Sequence, residues 1–148
     1  DPTMYRSGIL DGLMSWQKDN RQAFMNNVRR VFEAGAIVVA GTNAGNPGTF
    51  QGYSLHREIQ LLFEAGANPW DALASATTQA GAFLGMPVGM EPGDIANFVV
   101  LDSPPIYNGP KTENITDVIL KGQLVDRRRL LEQIRSKYTI FLRLFLRW

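Results

Sequence analysis

Ile37-Val38-Val39-Ala40-Gly41-Thr42-Asn43-Ala44-Gly45-Asn46-Pro47-Gly48 passes from four apolar, mostly β-branched residues straight into Gly, Thr, Asn and Pro. This is the grammar of a buried parallel strand that ends in a loop. In α/β proteins the carboxyl end of such a strand is where ligands and reacting groups gather. Two readings of its polar residues stand side by side. Thr42, Asn43 and Asn46 either hydrogen-bond their own turn, as such residues commonly do, or Asn43 is presented to a pocket.

Working outward, Phe24, Val28, Val31 and Phe32 share one helical face before the strand, and Gly35 ends that helix. Residues 8–19 mix Gly, Leu, Met, Trp and charge without a period, which predicts a loop or a short irregular helix. After the loop, Ser54 is placed to cap a helix carrying Leu55, Ile59, Leu62 and Phe63 on one face, and Gly66 stops it. Asn68-Pro69-Trp70-Asp71 has a capping side chain, Pro at the first helical position and an acid in the first turn. The Ala-rich helix it opens is expected to run through Leu73, Ala76, Ala80 and Phe83, ending at Gly85 and Pro87.

Beyond Gly89 the period becomes extended. Phe98 to Leu101 reads as a strand buried on both faces, and Ile115–Leu120 with Gln123–Val125 brackets Lys121-Gly122 as a hairpin with a two-residue turn. Arg127 to Lys137 resumes a helical pattern, and Tyr138 to Trp148 fits a strand or an amphipathic helix. In that last stretch Arg143, Arg147 and Trp148 are read as facing water or packing on protein, in preference to gripping an anionic surface.

The chain has 148 residues, enough for about one domain, and its hydrophobic fraction of 45% is that of an ordinary globular protein. With 15 basic and 14 acidic residues it does not advertise nucleic acid or an acidic membrane as partner, although the segment after Lys121 is basic. No cysteine is present, so disulfides and thiolate metal sites are excluded. There is no signal-peptide pattern at the amino end and no apolar run long enough to span a bilayer, and the expected setting is cytoplasmic. The missing initiator Met points to a start further upstream.

One buried strand cannot form a parallel sheet. The later strands follow short turns, not helical crossovers, so the neighbours of Ile37–Ala40 are expected to come from elsewhere: the chain reads as the carboxyl-terminal part of a larger α/β fold or one piece of an assembly. Gly41-Thr42-Asn43-Ala44-Gly45, Leu55-His56-Arg57-Glu58, Glu64-Ala65-Gly66 with Pro69, Ala72-Leu73 and Ala76-Thr77, and Glu91-Pro92-Gly93-Asp94-Ile95-Ala96-Asn97-Phe98-Val99-Val100-Leu101-Asp102 together resemble the amidohydrolase superfamily. The likeness is strongest to its imidazolonepropionase-like and prolidase-like metal-dependent hydrolases, over roughly residues 21 to 128. The resemblance implies the carboxyl-terminal part of a (β/α)8 TIM-type barrel with strands of a small composite β-sandwich. On that scheme 1–88 is the last barrel segment, 89–128 supplies sandwich strands, and 129–148 is a terminal helix or tail.

The same resemblance implies a divalent metal, zinc by preference, held mostly by residues outside this chain, and a small-molecule substrate with an amide or other C–N bond. Asn43 then occupies the catalytic and metal position where the family has Asp. An amide has no protonatable oxygen near neutral pH and is a poor metal ligand. Gln51 stands where many relatives have His, so it and Asn46 become candidate substrate contacts. His56, the one imidazole in the chain, has two readings, a structural hydrogen-bonding role near the barrel mouth or a substrate contact. Arg57 with Glu58 is read as an ordinary ion pair. The expected partners are the rest of the barrel, in the same polypeptide or another chain, and further copies in a homo-oligomer. The alternative is a binding or assembly module that kept the scaffold and lost the chemistry.

Overall fold

In a computed structural model that describes residues 2–46, 49–86, 88–106 and 111–133, segment 37–40 belongs to no sheet among the described residues. It nevertheless keeps the two-residue period of a strand: Val38 and Ala40 pack on the helical core, and Ile37 is 78% exposed. The expectation of burial on both faces is therefore corrected. Among the described residues no strand flanks this segment, and its side away from the helices is covered unevenly, with Ile37 exposed and Val39 half-buried.

The chain divides into two units, Asp1–Met86 with Pro105–Lys111, and Pro87–Pro104 with Thr112–Trp148. In the first, helix α1 spans Pro2–Glu33, α2 Tyr53–Glu64, α3 Pro69–Ser75 and α4 Thr78–Phe83. Helix α1 is continuous over residues 8–19, which corrects the loop or short irregular helix expected there. Side-chain bonds one turn apart support it. Ser15 Oγ donates to Asp19 Oδ2 at 3.3 Å and Gln22 Nε2 to Asn26 Oδ1 at 3.1 Å.

Helices α1, α2 and α4 stop in the same way. A glycine at positive φ (Gly35, Gly66 and Gly85) follows each, and the next N–H reaches back five residues: Ala36 to Val31 C=O, Ala67 to Leu62 C=O and Met86 to Gly81 C=O. At Gly66 a side chain would also meet the stem of Arg29, 3.2 Å from an added Cβ. Helix α3 starts as the sequence predicts, with Asn68 Oδ1 accepting Trp70 N–H at 2.9 Å and Pro69 in the first turn. Ser54 is a correction: it lies inside α2, Gly52 is the cap residue, and the Ser54 hydroxyl accepts Phe50 N–H at 2.8 Å.

The single Ala-rich helix is a second correction. It breaks between α3 and α4 at Thr77, whose hydroxyl takes the Leu73 carbonyl at 2.9 Å and so satisfies an acceptor that a continuous helix would have used. The core of this unit is Ile59, Leu62, Ala67 and Ala72, with Val28 and Phe32 of α1 and Val38 and Ala40 packed against it. Ser75 is fully buried there, and its hydroxyl donates to Ala72 C=O at 2.7 Å.

The second unit holds an antiparallel sheet in the order β1 (Phe98–Leu101), β2 (Ile115–Leu120) and β3 (Gln123–Leu124), with a register shift between Val100 and Leu101. The hairpin is where the sequence puts it. Lys121 and Gly122 have φ of 51° and 77°, the two positive values of a type I′ turn, and Asn97 Oδ1 accepts Lys121 N–H at 2.7 Å. Strand β1 is not buried on both faces as expected: Phe98, Val99 and Val100 are 39%, 50% and 38% exposed. Among the described residues these three short strands have no second layer to close against. Arg127 Nη1 donates to the carbonyls of Ile115 and Thr116, and residues 127–133 are helical, with Asp126 Oδ1 accepting Arg129 N–H at 3.0 Å. The expectations for 134–148, including Arg143, Arg147 and Trp148, lie outside the described residues. No described helix is long and apolar enough to cross a membrane.

Candidate functional site

The loop that leaves segment 37–40 is built around the carbonyl of Asn43. Three donors converge on it: Asn46 N–H at 3.4 Å, Asn46 Nδ2 at 3.1 Å and Thr49 Oγ1 at 3.1 Å. Thr49 closes the turn further, its N–H and hydroxyl reaching Asn46 C=O at 3.0 and 2.9 Å. This cradle holds Asn43 at φ 50°, the left-handed region that Asn tolerates better than other side-chain-bearing residues. The Asn43 side chain is exposed, so the loop uses its main chain for structure and presents its amide outward.

The four candidate residues are placed unequally. Asn43 and Asn46 meet directly, and the Asn46 amide nitrogen is engaged in holding the turn. Gln51 is exposed in the turn that enters α2, and His56 is half-buried in the first turns of that helix. Two residues gain roles that the sequence alone did not give them. Thr49 is the loop's second clamp, and its signal was a hydroxyl residue six positions after Asn43 in a Gly/Pro-rich turn. Glu58 is not the partner of Arg57: its Oε1 accepts Gly41 N–H at 3.5 Å, next to the loop. Arg57 instead reaches Glu64 at 2.8 Å, two helical turns on, and Arg21 of α1 meets the same carboxylate at 2.7 Å.

No group of three or more His, Cys, Asp or Glu gathers in metal-binding geometry among the described residues. At the loop itself, Asn43 offers one neutral oxygen and the carboxylate of Glu58 is engaged with a backbone N–H. These residues do not make a metal centre by themselves.

Helix, core segment and polar loop, then three helices and a small antiparallel sheet, define a mixed α/β protein whose polar loop sits at the end of a strand-like core segment. Residues 16–125 match the amidohydrolase family model, and the chain belongs to that family. An imidazolonepropionase from Symbiobacterium thermophilum is 33% identical over 104 residues, covering 66% of this chain and 24% of that protein. Among solved structures, phenylurea hydrolase B aligns with a TM-score of 0.61 at 25% identity, over 69% of this chain and 26% of its own. A second amidohydrolase structure aligns with a TM-score of 0.56 at 26% identity, over 72% and 27%. The chain thus spans about a quarter of the length of these relatives. Amidohydrolases are in general metal-dependent, and here the metal-binding groups are not among the described residues.

Proposed function

We propose that this chain is the carboxyl-terminal portion of a (β/α)8-barrel hydrolase of amide or other C–N bonds, with position 43 at the mouth of the barrel. The observation that carries this reading is the phase of segment 37–40 and the loop it delivers. Val38 and Ala40 face the helices, as the outward residues of a barrel strand do, and Ile37 and Val39 alternate with them. The loop that follows starts where a barrel strand would open into its pocket, and the Asn43 side chain is exposed there. The relatives support the reaction class: one is an imidazolonepropionase and another a phenylurea hydrolase. A composite β-sandwich accounts for the exposed apolar residues of β1, with covering strands from the rest of the polypeptide.

A divalent metal, zinc in this reading, is held by residues outside this chain and supplies Lewis acidity. The chain's own contribution is a shaped rim. The Asn43 amide donates and accepts hydrogen bonds to the substrate, Gln51 and His56 line the approach, and Asn46 with Thr49 keeps Asn43 in place. Asn43 cannot take a proton as a carboxylate would, so this copy binds substrate and turns it over slowly.

The test is the full-length protein with Zn²⁺, as wild type and as Asn43→Asp. The substitution leaves the loop undisturbed, because Asp also tolerates positive φ. Hydrolysis across a panel of amides, cyclic amides and acyl-amino acids is expected to rise by about 10²- to 10⁴-fold, the usual worth of a general base. No gain with no Zn²⁺ retained overturns the hydrolase reading. Stoichiometric ligand binding without turnover in either form favours the second reading, a binding module on this scaffold, which the neutral amide at position 43 supports.

A further inference from the structure

Two successive N–H groups at the end of segment 37–41 are taken by helices instead of being left for a neighbouring strand. Ala40 N–H donates to the carbonyl of the fully buried Ser75 at 2.9 Å, and Gly41 N–H donates to Glu58 Oε1 at 3.5 Å. Neither donor is then open to a neighbouring strand. Gly41 stands two residues before Asn43, so whatever fixes Gly41 fixes where the chain turns into the loop.

We propose that Glu58 is a positioning residue for that loop: its carboxylate, carried on α2, anchors Gly41 N–H and thereby aims the left-handed Asn43 outward. The proposal rests on the reading of position 43 as a pocket residue and adds the residue that sets its direction. Ile59 and Leu62, next to Glu58 on α2, are buried in the core, so the anchor stands on a packed helix. Glu58 also borders a cleft between α1 and α2 near Lys18 and Arg21. A role for its charge in that cleft is the competing explanation.

Two variants of the full-length protein separate these roles. Glu58→Gln keeps the reach and an accepting oxygen but loses the charge, and Glu58→Asp keeps the charge but is one methylene too short to reach Gly41. Amide hydrogen exchange is followed by mass spectrometry on peptides spanning 37–46, alongside the melting curve. The expected result is protection within about threefold of wild type in Glu58→Gln and a loss of about tenfold or more in Glu58→Asp, confined to this segment. If Glu58→Asp does not fold, Glu58→Met, similar in length and without an oxygen acceptor, gives the same readout. Loss in Glu58→Gln with retention in Glu58→Asp assigns the charge to the cleft and overturns the proposal, as does unchanged exchange in every variant. Zn²⁺ uptake by the wild type bears on the hydrolase reading alone. A protein that takes no Zn²⁺ but shows the exchange contrast keeps the positioning role.

Discussion

The two units of this chain solve the same problem unequally. In the first, α2 and α3 close on each other within a few residues and bury Ile59, Leu62, Ala65, Ala67 and Ala72. In the second, the ladder of β1, β2 and β3 is well formed, yet none of its strand residues is buried. Hydrogen bonding and burial are thus separable. A hairpin satisfies its backbone from local turn geometry, whereas an apolar sheet face needs a second layer. The first unit makes its own small core, and the second presents half of one.

The largest stability effect should fall where the core closes. Leu62→Ala removes a side chain 8% exposed at the centre of the helical cluster and is expected to cost about 2–5 kcal/mol. Val99→Ala, at a residue 50% exposed in this chain, is expected to cost less, about 1–2 kcal/mol once the proposed sandwich strands cover β1. Chemical denaturation of the full-length protein measures both. Equal losses would break the comparison by showing that the rest of the polypeptide covers β1 as fully as α3 covers α2.

This division also explains what the sequence disclosed. Elements set by neighbours in the chain were legible: the start of α3 at Asn68-Pro69, the stops at Gly35, Gly66 and Gly85, and the turn at Lys121-Gly122, each carrying its own capping or turn chemistry. Elements set by what packs on them were not. Val99 and Val100 look buried because their composition is that of a covered strand, yet among the described residues no second layer covers them. The first half of α1 is illegible because residues 8–19 carry no apolar stripe at helical spacing. At the loop, Asn43 was visible from its place after four apolar residues. The hold of Thr49 and Glu58 on it was not, because both act through backbone groups, which every residue has.

Within the second unit the stable feature is the turn before β1, not a core. Glu91 N–H donates to Asp94 Oδ2 at 2.9 Å, and a Cβ on Gly89 would come within 2.1 Å of that same oxygen. Gly89→Ala is therefore expected to turn the Asp94 carboxylate off its donor and to cost about 0.5–1.5 kcal/mol, the worth of one exposed hydrogen bond. The double variant with Asp94→Ala sharpens this. If the clash is with Asp94, the two losses do not add, and full additivity would place the strain elsewhere.

A smaller effect is expected at the α3 cap. Asn68→Ala removes the acceptor for Trp70 N–H and should cost about 1 kcal/mol. Because Ala72, three residues into the helix, is fully buried in the core, the loss should appear in the global unfolding midpoint of the first unit and not only as fraying. A midpoint that stays in place would mean that packing alone holds this helix.

The smallest effect tests how α1 is attached. Glu64 receives Arg21 from α1 and Arg57 from its own helix, with side chains 54% and 42% exposed on the two arginines. Exposed pairs of this kind contribute about 0.2–1 kcal/mol and weaken as salt screens them. Glu64→Gln keeps the shape and removes the charge, so its cost should lie in that range and shrink as salt is raised. Arg21→Ala should lose less stability in a Glu64→Gln background than in wild type, because their shared interaction is then already gone. A salt-independent loss would assign the tie to packing, the stem of Arg21 together with Val28 and Phe32.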